Sequence, residues 1–287
     1  MIDLDALHSL AVFAEKRNFT HAAEALHISQ PALHVKIRKL GESVGVPLYR
    51  RNGRALEITP AGRELARLGR ELRDSVEEAL AALRGERIAE TVVLAAGEGA
   101  ILYLLSDAVR QYVQAGTARL QLLTRDREGT IEAVRSGDAH LGVATLDSLP
   151  PGLAAVELRR SPQIVVMPSR HPLSRKRSLA LTDLAGEALI VPPAGRPHRE
   201  AIARALLDAA VPWRAAVEAN GWPVMLALAR SGIGLAVVND ICALPAGVVA
   251  RPLRGMPATH YHLIHRRGRM SEGVQELAGM IRAAAKR

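Results

Sequence analysis

The chain has 287 residues, of which 48% are hydrophobic, so it can bury a substantial core and exceeds the usual size of a single domain. No apolar run approaches the roughly 18 residues that a membrane-spanning helix needs, and we therefore expect a cytoplasmic protein with no membrane partner. The single cysteine, Cys242, excludes an internal disulfide and a cysteine-based zinc site, and we interpret it as a buried small hydrophobe.

The net charge of +9 favours an anionic partner, but the distribution of charge matters more than the total. Residues 1–90 hold 14 Lys/Arg against 13 Asp/Glu, and residues 91–287 hold 24 against 16. Most of the excess therefore lies in the second part of the chain. Residues 31–54 nevertheless carry six basic side chains and one acidic side chain, which is a local pattern typical of nucleic-acid contact.

Three short helices are predicted at the N-terminus. Apolar residues at helical spacing indicate a first helix over residues 4–16, with a stripe of Leu4, Leu7, Leu10, Ala11 and Ala14. Thr20 is the predicted N-cap of a second helix, and Ser29 caps a third with Pro31 in its first turn, where a missing N–H costs nothing. Two helices joined by a tight turn indicate a helix-turn-helix.

The third helix has two distinct faces. Its buried stripe is predicted to contain Leu33, Ile37 and Leu40. Its outward face carries Pro31, His34, Val35 and Arg38. Gln30 could contact adenine, His34 a guanine acceptor and Val35 a thymine methyl group. The alternative is an ordinary surface helix with solvated charges.

A β-hairpin is predicted directly after this helix. Asn52-Gly53 lies between two alternating runs, and both residue types tolerate the positive φ of a tight hairpin turn. Basic side chains on such a ribbon could neutralise phosphates or enter a minor groove. The candidate DNA contacts are therefore Thr20, Ser29, Gln30, Pro31, His34, Val35, Lys36, Arg38, Arg50, Arg51 and Arg54.

A long helix is predicted from Thr59-Pro60, which repeats the arrangement of an N-cap followed by a first-turn proline, to about Arg87. At 1.5 Å per residue it would extend roughly 40 Å, longer than a small domain needs. The near-heptad spacing of its apolar residues favours pairing with a second copy. The alternative is packing against its own domain. The predicted seam contains Leu65, Leu68, Leu72, Val76, Ala79 and Leu83.

These motifs resemble the LysR-type transcriptional regulators, and the similarity extends nearly from end to end. The residues that carry it are Ser29-Gln30-Pro31-Ala32-Leu33, Gly45-Val46-Pro47-Leu48-Tyr49 and Thr59-Pro60-Ala61-Gly62. The family usually has Ser at position 34 and a polar or basic residue at position 35. His34 and Val35 therefore affect the expected DNA sequence preference and not the fold.

The second part of the chain changes to an α/β pattern in which short apolar runs alternate with helical segments, as in a parallel sheet with crossover helices. The predicted strands are Val92–Ala95, Leu120–Leu123, Leu141–Ala144, Ile164–Met167, Ala188–Val191, Leu235–Val238 and His262–Ile264. The resemblance implies that this part is a periplasmic-binding-protein-like effector domain of two subdomains. The chain is expected to cross between them near residues 157–162 and at His265.

The resemblance also implies a domain order and a set of partners. Residues 1–58 would form an all-α winged helix-turn-helix, residues 59–88 a linker and dimerisation helix, and residues 89–287 the effector-binding domain. Its subdomain I would contain residues 91–160 and 266–287, and its subdomain II residues 161–265. The implied partners are double-stranded DNA, a small-molecule effector, RNA polymerase and further copies of the chain in a dimer of dimers.

The effector is expected in the cleft between the subdomains, where strand ends and helix N-termini present free amides. The candidate contacts are Gly97, Glu98, Gly99, Ala100, Ile101, Thr145, Asp147, Gly195, Arg196, His198, Asn220 and Trp222. Many relatives have Ser or Thr in the first of these loops, and Glu98 stands there instead. Three hypotheses remain open: Glu98 binds an amine or hydroxyl group of the effector, pairs with Arg196, or points to solvent.

Other chemical signals are weak. Gly97-x-Gly99 follows a strand, but the third glycine of a dinucleotide loop is replaced by Leu102. His260 and His262 share one strand face without a third metal ligand. No catalytic motif is present, and we expect no cofactor, no metal and no enzymatic activity. A solute receptor and a ligand-binding enzyme with an accessory helical domain are the alternatives to a regulator.

Overall fold

The computed structural model describes residues 3–52, 55–84 and 90–285. The chain divides into two compact units, Met1–Ala89 and Glu90–Arg287. In the described part of the chain, none of the helices combines the length and apolar composition of a membrane span.

The first unit contains four helices and a two-stranded ribbon in its described residues. They are α1 (Leu4–Lys16), α2 (Phe19–Ala25), α3 (Gln30–Val44), β1 (Tyr49–Asn52), β2 (Ala55–Ile58) and α4 (Pro60–Leu83). The ribbon is antiparallel, with Arg50 opposite Glu57. Gly53 of the predicted Asn-Gly turn lies outside the described residues.

The caps of these helices follow the sequence signals with one exception. Ser29 Oγ accepts a hydrogen bond from the Ala32 N–H at 3.3 Å, and Thr59 Oγ1 accepts one from the Gly62 N–H at 3.0 Å. The prediction that Thr20 caps α2 is wrong. Asn18 caps it, because its side-chain oxygen accepts from the backbone N–H groups of Thr20 and His21.

The core of the first unit is formed by α1, α2, α3, the start of the ribbon and the first half of α4. Its fully buried side chains include Leu7, Leu10, Phe13, Leu33, Ile37 and Leu48. Leu4 was predicted on the buried stripe of α1, but it is 57% exposed because it stands in the first turn, outside this cluster.

The predicted seam of α4 divides into two parts. Leu65 and Leu72 are half-buried and pack against the core of their own unit, and their place in a dimer seam stays a prediction. Leu68 is half-buried. Val76 is 47% exposed and Leu83 is 84% exposed, and Leu80 is a further exposed leucine in this half of the helix. For Ala79 only the helical backbone is described.

The second unit contains two sheets. Its first sheet has the strand order β4-β3-β5-β13-β6, and its second has the order β10-β9-β11-β7-β12-β8. The strands are β3 (Thr91–Ala96), β4 (Arg119–Thr124), β5 (Leu141–Thr145), β6 (Leu153–Ser161), β7 (Gln163–Pro168), β8 (Leu179–Ala180), β9 (Ala188–Val191), β10 (Arg214–Glu218), β11 (Leu235–Asn239), β12 (Val248–Arg254) and β13 (Thr259–Arg266).

Helices connect and cover these strands. They are α5 (Glu98–Ala100), a π-helical turn (Ile101–Leu105), α6 (Ser106–Ala115), α7 (Arg127–Ser136), α8 (Pro197–Asp208), α9 (Trp222–Arg230) and α10 (Glu272–Ala285). The core under the first sheet includes Leu94, Leu105, Tyr112, Leu277 and Ile281. Two further clusters line the two faces of the second sheet.

All seven predicted strands are present, but the sheets are mixed and not purely parallel. β11 and β12 both pair antiparallel with β7, and β13 pairs antiparallel with β5 and β6. The sequence reading missed β6, β8, β10 and β12. Three of these are edge strands, and β12 contains Pro252, which has no N–H to donate to a neighbouring strand.

The subdomain boundaries require one correction. The first crossing lies at Pro162, between β6 and β7, inside the predicted range 157–162. The second lies at residues 255–258 and not at His265, because β13 belongs to the first sheet. The range 161–265 for subdomain II is therefore too long at both ends: Ser161 ends β6, and residues 259–265 belong with the first sheet.

Candidate DNA-binding and effector sites

The outward face of α3 is open to solvent over its whole length. Gln30, Pro31, Val35 and Arg38 are all exposed, as predicted from the helical projection. Gln30 has no hydrogen bond or ion pair among the described residues. The hydroxyl-bearing residues around the turn, Thr20 and Ser29, are exposed as well. An α-helix that presents such a face fits the width of the DNA major groove.

The side chain of His34 is exposed, as the helical projection predicted, and it also makes contacts within the domain. Its Nε2 lies 2.8 Å from the Tyr49 hydroxyl, and its ring is 4.9 Å from the ring of Phe19. The Tyr49 ring meets it edge-on at 5.7 Å. These contacts tie α3 to the β1–β2 ribbon, and the guanine contact through His34 stays a prediction.

Several basic candidates are paired with acids of the same unit. Lys36 forms an ion pair with Asp5 of α1. Arg50 is bound to Glu57 across the ribbon, with Nε 3.0 Å from Oε2. Arg38 makes a longer contact of 3.7 Å with Glu42, one helical turn away. These exposed pairs contribute little stability, and each would compete with a phosphate for the same cation.

The predicted DNA contacts left out one basic residue of α3. They also included two residues of the ribbon, Arg51 and Arg54, whose side chains are outside the described part of the chain. Lys39 lies beside Arg38 on the exposed face and has no hydrogen bond or ion pair in the described chain. The projection could have found it, because it lies four residues, about one helical turn, after Val35 on the same face. Arg51 contributes its backbone to β1, opposite Leu56, and Arg54 lies outside the described residues.

In the second unit, loops at the carboxyl ends of parallel strands from both sheets meet across a cleft. The loops after β3 and β5 belong to the first sheet, and those after β9 and β10 belong to the second. This is the expected ligand position in an open α/β fold. The structure brings Gly97–Ile101 together with Gly221 and Trp222 and brings Arg196 to the start of α7.

Two glycines permit the closest approach across this cleft. A Cβ atom at Gly99 would lie only 2.1 Å from Trp222 Cδ1, so the indole ring rests directly on the glycine. Gly221 has a φ of +82°, and a Cβ there would lie 2.8 Å from Glu98 Oε2. Larger side chains at either position would force these two contacts apart.

The arginines of the cleft form ion pairs with carboxylates other than that of Glu98. Arg196 Nη1 lies 3.2 Å from Asp126 Oδ2, so the hypothesis that Arg196 pairs with Glu98 is wrong. Asp126 also accepts from the Gly129 N–H, and this bond together with Arg196 holds the pKa of the Asp126 carboxyl below its usual range. Asp147 is bound to Arg127 at 3.0 Å.

The side chain of His198 is half-buried, and its imidazole is neutral. Burial lowers the pKa of this imidazole, although its bond to the Val237 carbonyl opposes the shift. Because its Nε2 lies 2.9 Å from that carbonyl oxygen, it carries the proton there. Its ring meets Trp222 edge to face at 4.8 Å, and it therefore supports the indole.

The remaining effector candidates vary in accessibility. Ala100 is 5% exposed and belongs to the core of the first subdomain, so its side chain is not available to a ligand. Ile101 and Thr145 are half-buried and Asn220 is exposed. The Gly195 N–H donates to Glu200 Oε1 at 3.0 Å.

Sequence reasoning missed the polar residues at the base of the cleft, where the chain crosses between subdomains. Asn239 Nδ2 donates to the Tyr261 hydroxyl at 2.8 Å, and Gln163 Nε2 donates to Thr259 Oγ1 at 3.0 Å. Ser161 donates to Asp240 at 2.6 Å. The residues that form these bonds are 22 to 96 positions apart in sequence, so no local pattern could indicate them.

The histidine pair of β13 does not form a metal site. His260 Nδ1 lies 3.1 Å from Glu157, and His262 Nδ1 lies 3.1 Å from the His260 carbonyl oxygen. Among residues 3–52, 55–84 and 90–285, no group of three His, Cys, Asp or Glu side chains could hold an ion.

An exposed helix of a helix-turn-helix and a two-subdomain α/β cleft together define the class of ligand-sensing DNA-binding regulators. The sequence model of the LysR substrate binding domain matches residues 85–286, and that of the bacterial regulatory helix-turn-helix protein, lysR family, matches residues 4–63. The chain therefore belongs to the LysR family of transcriptional regulators, whose members are regulators and not enzymes.

Named relatives agree with this membership over almost the whole chain. The RuBisCO operon transcriptional regulator of Allochromatium vinosum is 28% identical and covers 92% of this chain and 91% of its own length. The probable cat1 operon transcriptional activator of Acinetobacter lwoffii is 30% identical, over 92% of this chain and 86% of its own. A full-length OxyR variant from Pseudomonas aeruginosa has a TM-score of 0.73 at 21% identity and covers 98% of both chains, which shows the shared fold.

Proposed function

We propose that this regulator binds operator DNA as a homo-oligomer, a dimer of dimers, and that a small molecule in the cleft changes the geometry of the assembly. The observation that carries the proposal is the open outward face of α3, on which Gln30, Val35 and Lys39 have no competing contact within the described chain. A regulator of this kind acts in the cytoplasm, where the DNA is, and acts on RNA polymerase there.

In this proposal the two DNA-contacting elements have different tasks. α3 enters the major groove, where Gln30 reaches adenine and the Val35 methyl groups contact thymine. The β1–β2 ribbon serves as the wing and binds the phosphate backbone or the narrow minor groove, which fixes position more than sequence. Lys39 and Arg38 add phosphate contacts from α3.

The second half of α4 would join two copies of the chain. Val76, Leu80 and Leu83 expose apolar side chains on a helix whose first half already packs on its own unit. A second copy of the same helix covers such a stripe symmetrically. Two linked heads then bind two half-sites, and the second head binds at high effective concentration.

Control by an effector requires a difference in affinity between two arrangements of the protein. A ligand that bound both arrangements equally would shift nothing, however tightly it bound. The effector would lie between the two subdomains, at the loops that follow β3, β5, β9 and β10. The groups that it would contact there are the Gly97–Ile101 loop, Arg196, Asn220 and Trp222.

The test uses fluorescence anisotropy with a duplex taken from upstream of the protein's own reading frame. We expect specific binding at nanomolar concentration at physiological salt, typical of regulators. Lys39→Ala should lower affinity and flatten the salt dependence by about one contact per head. Lys16→Ala, whose lysine pairs with Glu15 on α1, is the matched control. Equal affinity for unrelated DNA, or equal effects of both variants, would refute the proposal.

A further inference from the structure

Glu98 begins the helical segment that follows β3, and its carboxylate reaches across the cleft. Its Oε2 lies close enough to the Gly221 backbone that a Cβ there would be 2.8 Å away. Gly221 precedes α9, which belongs to the second subdomain. The Glu98 side chain itself is exposed, so a ligand can reach it from solvent.

Glu98 differs from the neighbouring charges because it has no partner of opposite charge. Arg196 is bound to Asp126, Arg127 to Asp147, and Arg199 to Glu218. The Glu98 carboxylate accepts no hydrogen bond and forms no ion pair among the described residues. The Glu98 carboxylate is therefore an uncompensated negative charge in the cleft.

Two aromatic side chains, Trp222 and Tyr103, lie in the same part of the cleft as Glu98. Trp222 follows Gly221 directly and lies on Gly99, the next residue after Glu98. Tyr103 is in the π-helical turn one turn further along and packs against the cores of both subdomains. Burial raises the pKa of the Tyr103 hydroxyl, with smaller contributions from Cys242 and Glu98, so this ring stays neutral. π-Helical turns occur frequently at functional sites.

The arrangement of one free carboxylate beside an indole and a phenol ring is suited to an organic cation. A positive group is attracted to the faces of Trp and Tyr rings and to a carboxylate at the same time. A carboxylate ligand would instead be repelled by Glu98, because neighbouring His198 is neutral and Arg196 and Arg199 are already paired with Asp126 and Glu218.

We infer that the effector carries an organic cation, a primary amine or a substituted ammonium group, which binds between Glu98 and the rings of Trp222 and Tyr103. This inference rests on the proposed function, since it names the chemical class of that effector. It also decides among the three hypotheses for Glu98 in favour of contact with the ligand.

The test compares cationic and anionic probes of equal size on the full chain. The chain has two tryptophans, so Trp213→Phe leaves Trp222 as its sole indole fluorophore. We expect n-butylammonium to change Trp222 fluorescence saturably at fixed ionic strength, and sodium butyrate to have no such effect. Tetramethylammonium, which cannot donate a hydrogen bond, separates attraction to the rings from a bond to Glu98.

Variants then assign the effect to Glu98. Glu98→Gln keeps the size and removes the charge, and it should weaken n-butylammonium binding about tenfold or more. Glu98→Asp should retain part of the affinity. Asp208→Asn removes an exposed carboxylate at the C-terminal end of α8. It should leave the affinity for n-butylammonium unchanged. Calorimetry on the chain with both tryptophans repeats the comparison in the native background.

The outcomes also separate this inference from the proposed function. Butyrate binding at least as tight as n-butylammonium binding, no saturable binding of any cation, or unchanged cation affinity in Glu98→Gln would each overturn the inference. Operator binding by the same protein samples is measured in parallel. If the wild-type chain binds operator DNA but fails the cation test, only the inference about the effector is wrong. If the wild-type chain does not bind operator DNA, the proposed function itself is refuted.

Discussion

On the outward face of α3, Gln30 and Lys39 have no hydrogen bond or ion pair in the described chain, whereas in the cleft Arg127 and Arg196 are each bound to a carboxylate. The helix face is convex, so water satisfies its side chains until DNA replaces that water. The cleft is concave, and its charges lie close enough to neutralise one another. We therefore expect DNA to reach Gln30 and Lys39 without displacing a protein contact, whereas a ligand enters a cleft in which Arg127 and Arg196 are paired and the Glu98 carboxylate is not.

This difference predicts two kinds of mutational effect. Changes on α3 should act directly on affinity or on base preference, because nothing within the unit has to rearrange. Changes in the cleft should act on the balance between subdomain arrangements and reach DNA binding only indirectly. His34 and Lys36 are exceptions on α3, since His34 contacts Phe19 and Tyr49 and Lys36 is paired with Asp5.

The largest effect is expected from the exposed half of α4. The double variant Val76→Asp with Leu83→Asp should abolish pairing, because two buried charges without partners are costly. Operator affinity should fall about 100-fold or more through loss of the second head. Sedimentation and anisotropy at matched salt check this, with Leu149→Asp on an exposed loop as the control. An intact dimer with unchanged affinity would contradict the assignment.

A base-specific effect is expected next, from Val35→Ser. Replacing methyl groups by a hydroxyl should alter preference at one symmetric pair of base positions, by about 1–3 kcal/mol. A randomised-site selection measures the change, and thermal unfolding should remain as in the wild type because Val35 is exposed. A variant that lost stability but kept the wild-type operator preference would contradict the assignment of Val35 as an exposed base contact.

His34→Ala should give the opposite pattern. It removes the stacking on Phe19 and the bond to Tyr49, and we expect the unit to lose about 1 kcal/mol of unfolding free energy. The preferred operator sequence should stay the same, with weaker binding to all sites because the ribbon is held less firmly. A shifted preference at one base position with unchanged stability would restore His34 as a base reader.

The smallest effect is expected at the Asp126–Arg196 pair, which is about half exposed and therefore largely screened. The folded-state pKa of Asp126 is lowered, so its stabilising effect is present above its ordinary pKa of 3.8 and is lost as the pH falls through the lower, folded-state pKa. Asp126→Asn should thus reduce stability by no more than a few tenths of a kcal/mol at neutral pH. The difference from the wild type should vanish in acid, as thermal melts across pH can show.

Local sequence determined much of the first unit and the strands of the second. Ser29 and Pro31 specify where α3 begins, and the spacing of Leu33 and Ile37 specifies which face is buried, because caps and helical periodicity act within a few residues. Continuous apolar runs likewise specified the central strands, since a strand buried on both faces needs no polar position.

Tertiary structure alone decided the pairing of side chains. Sequence could not show that Arg196 binds Asp126, 70 positions earlier, or that Glu98 reaches Gly221. It also could not separate the half of α4 that packs on its own core from the half that stays exposed, because both halves share one apolar spacing. Periodicity records which face of an element is apolar, whereas the surface that covers that face depends on residues far away in the chain.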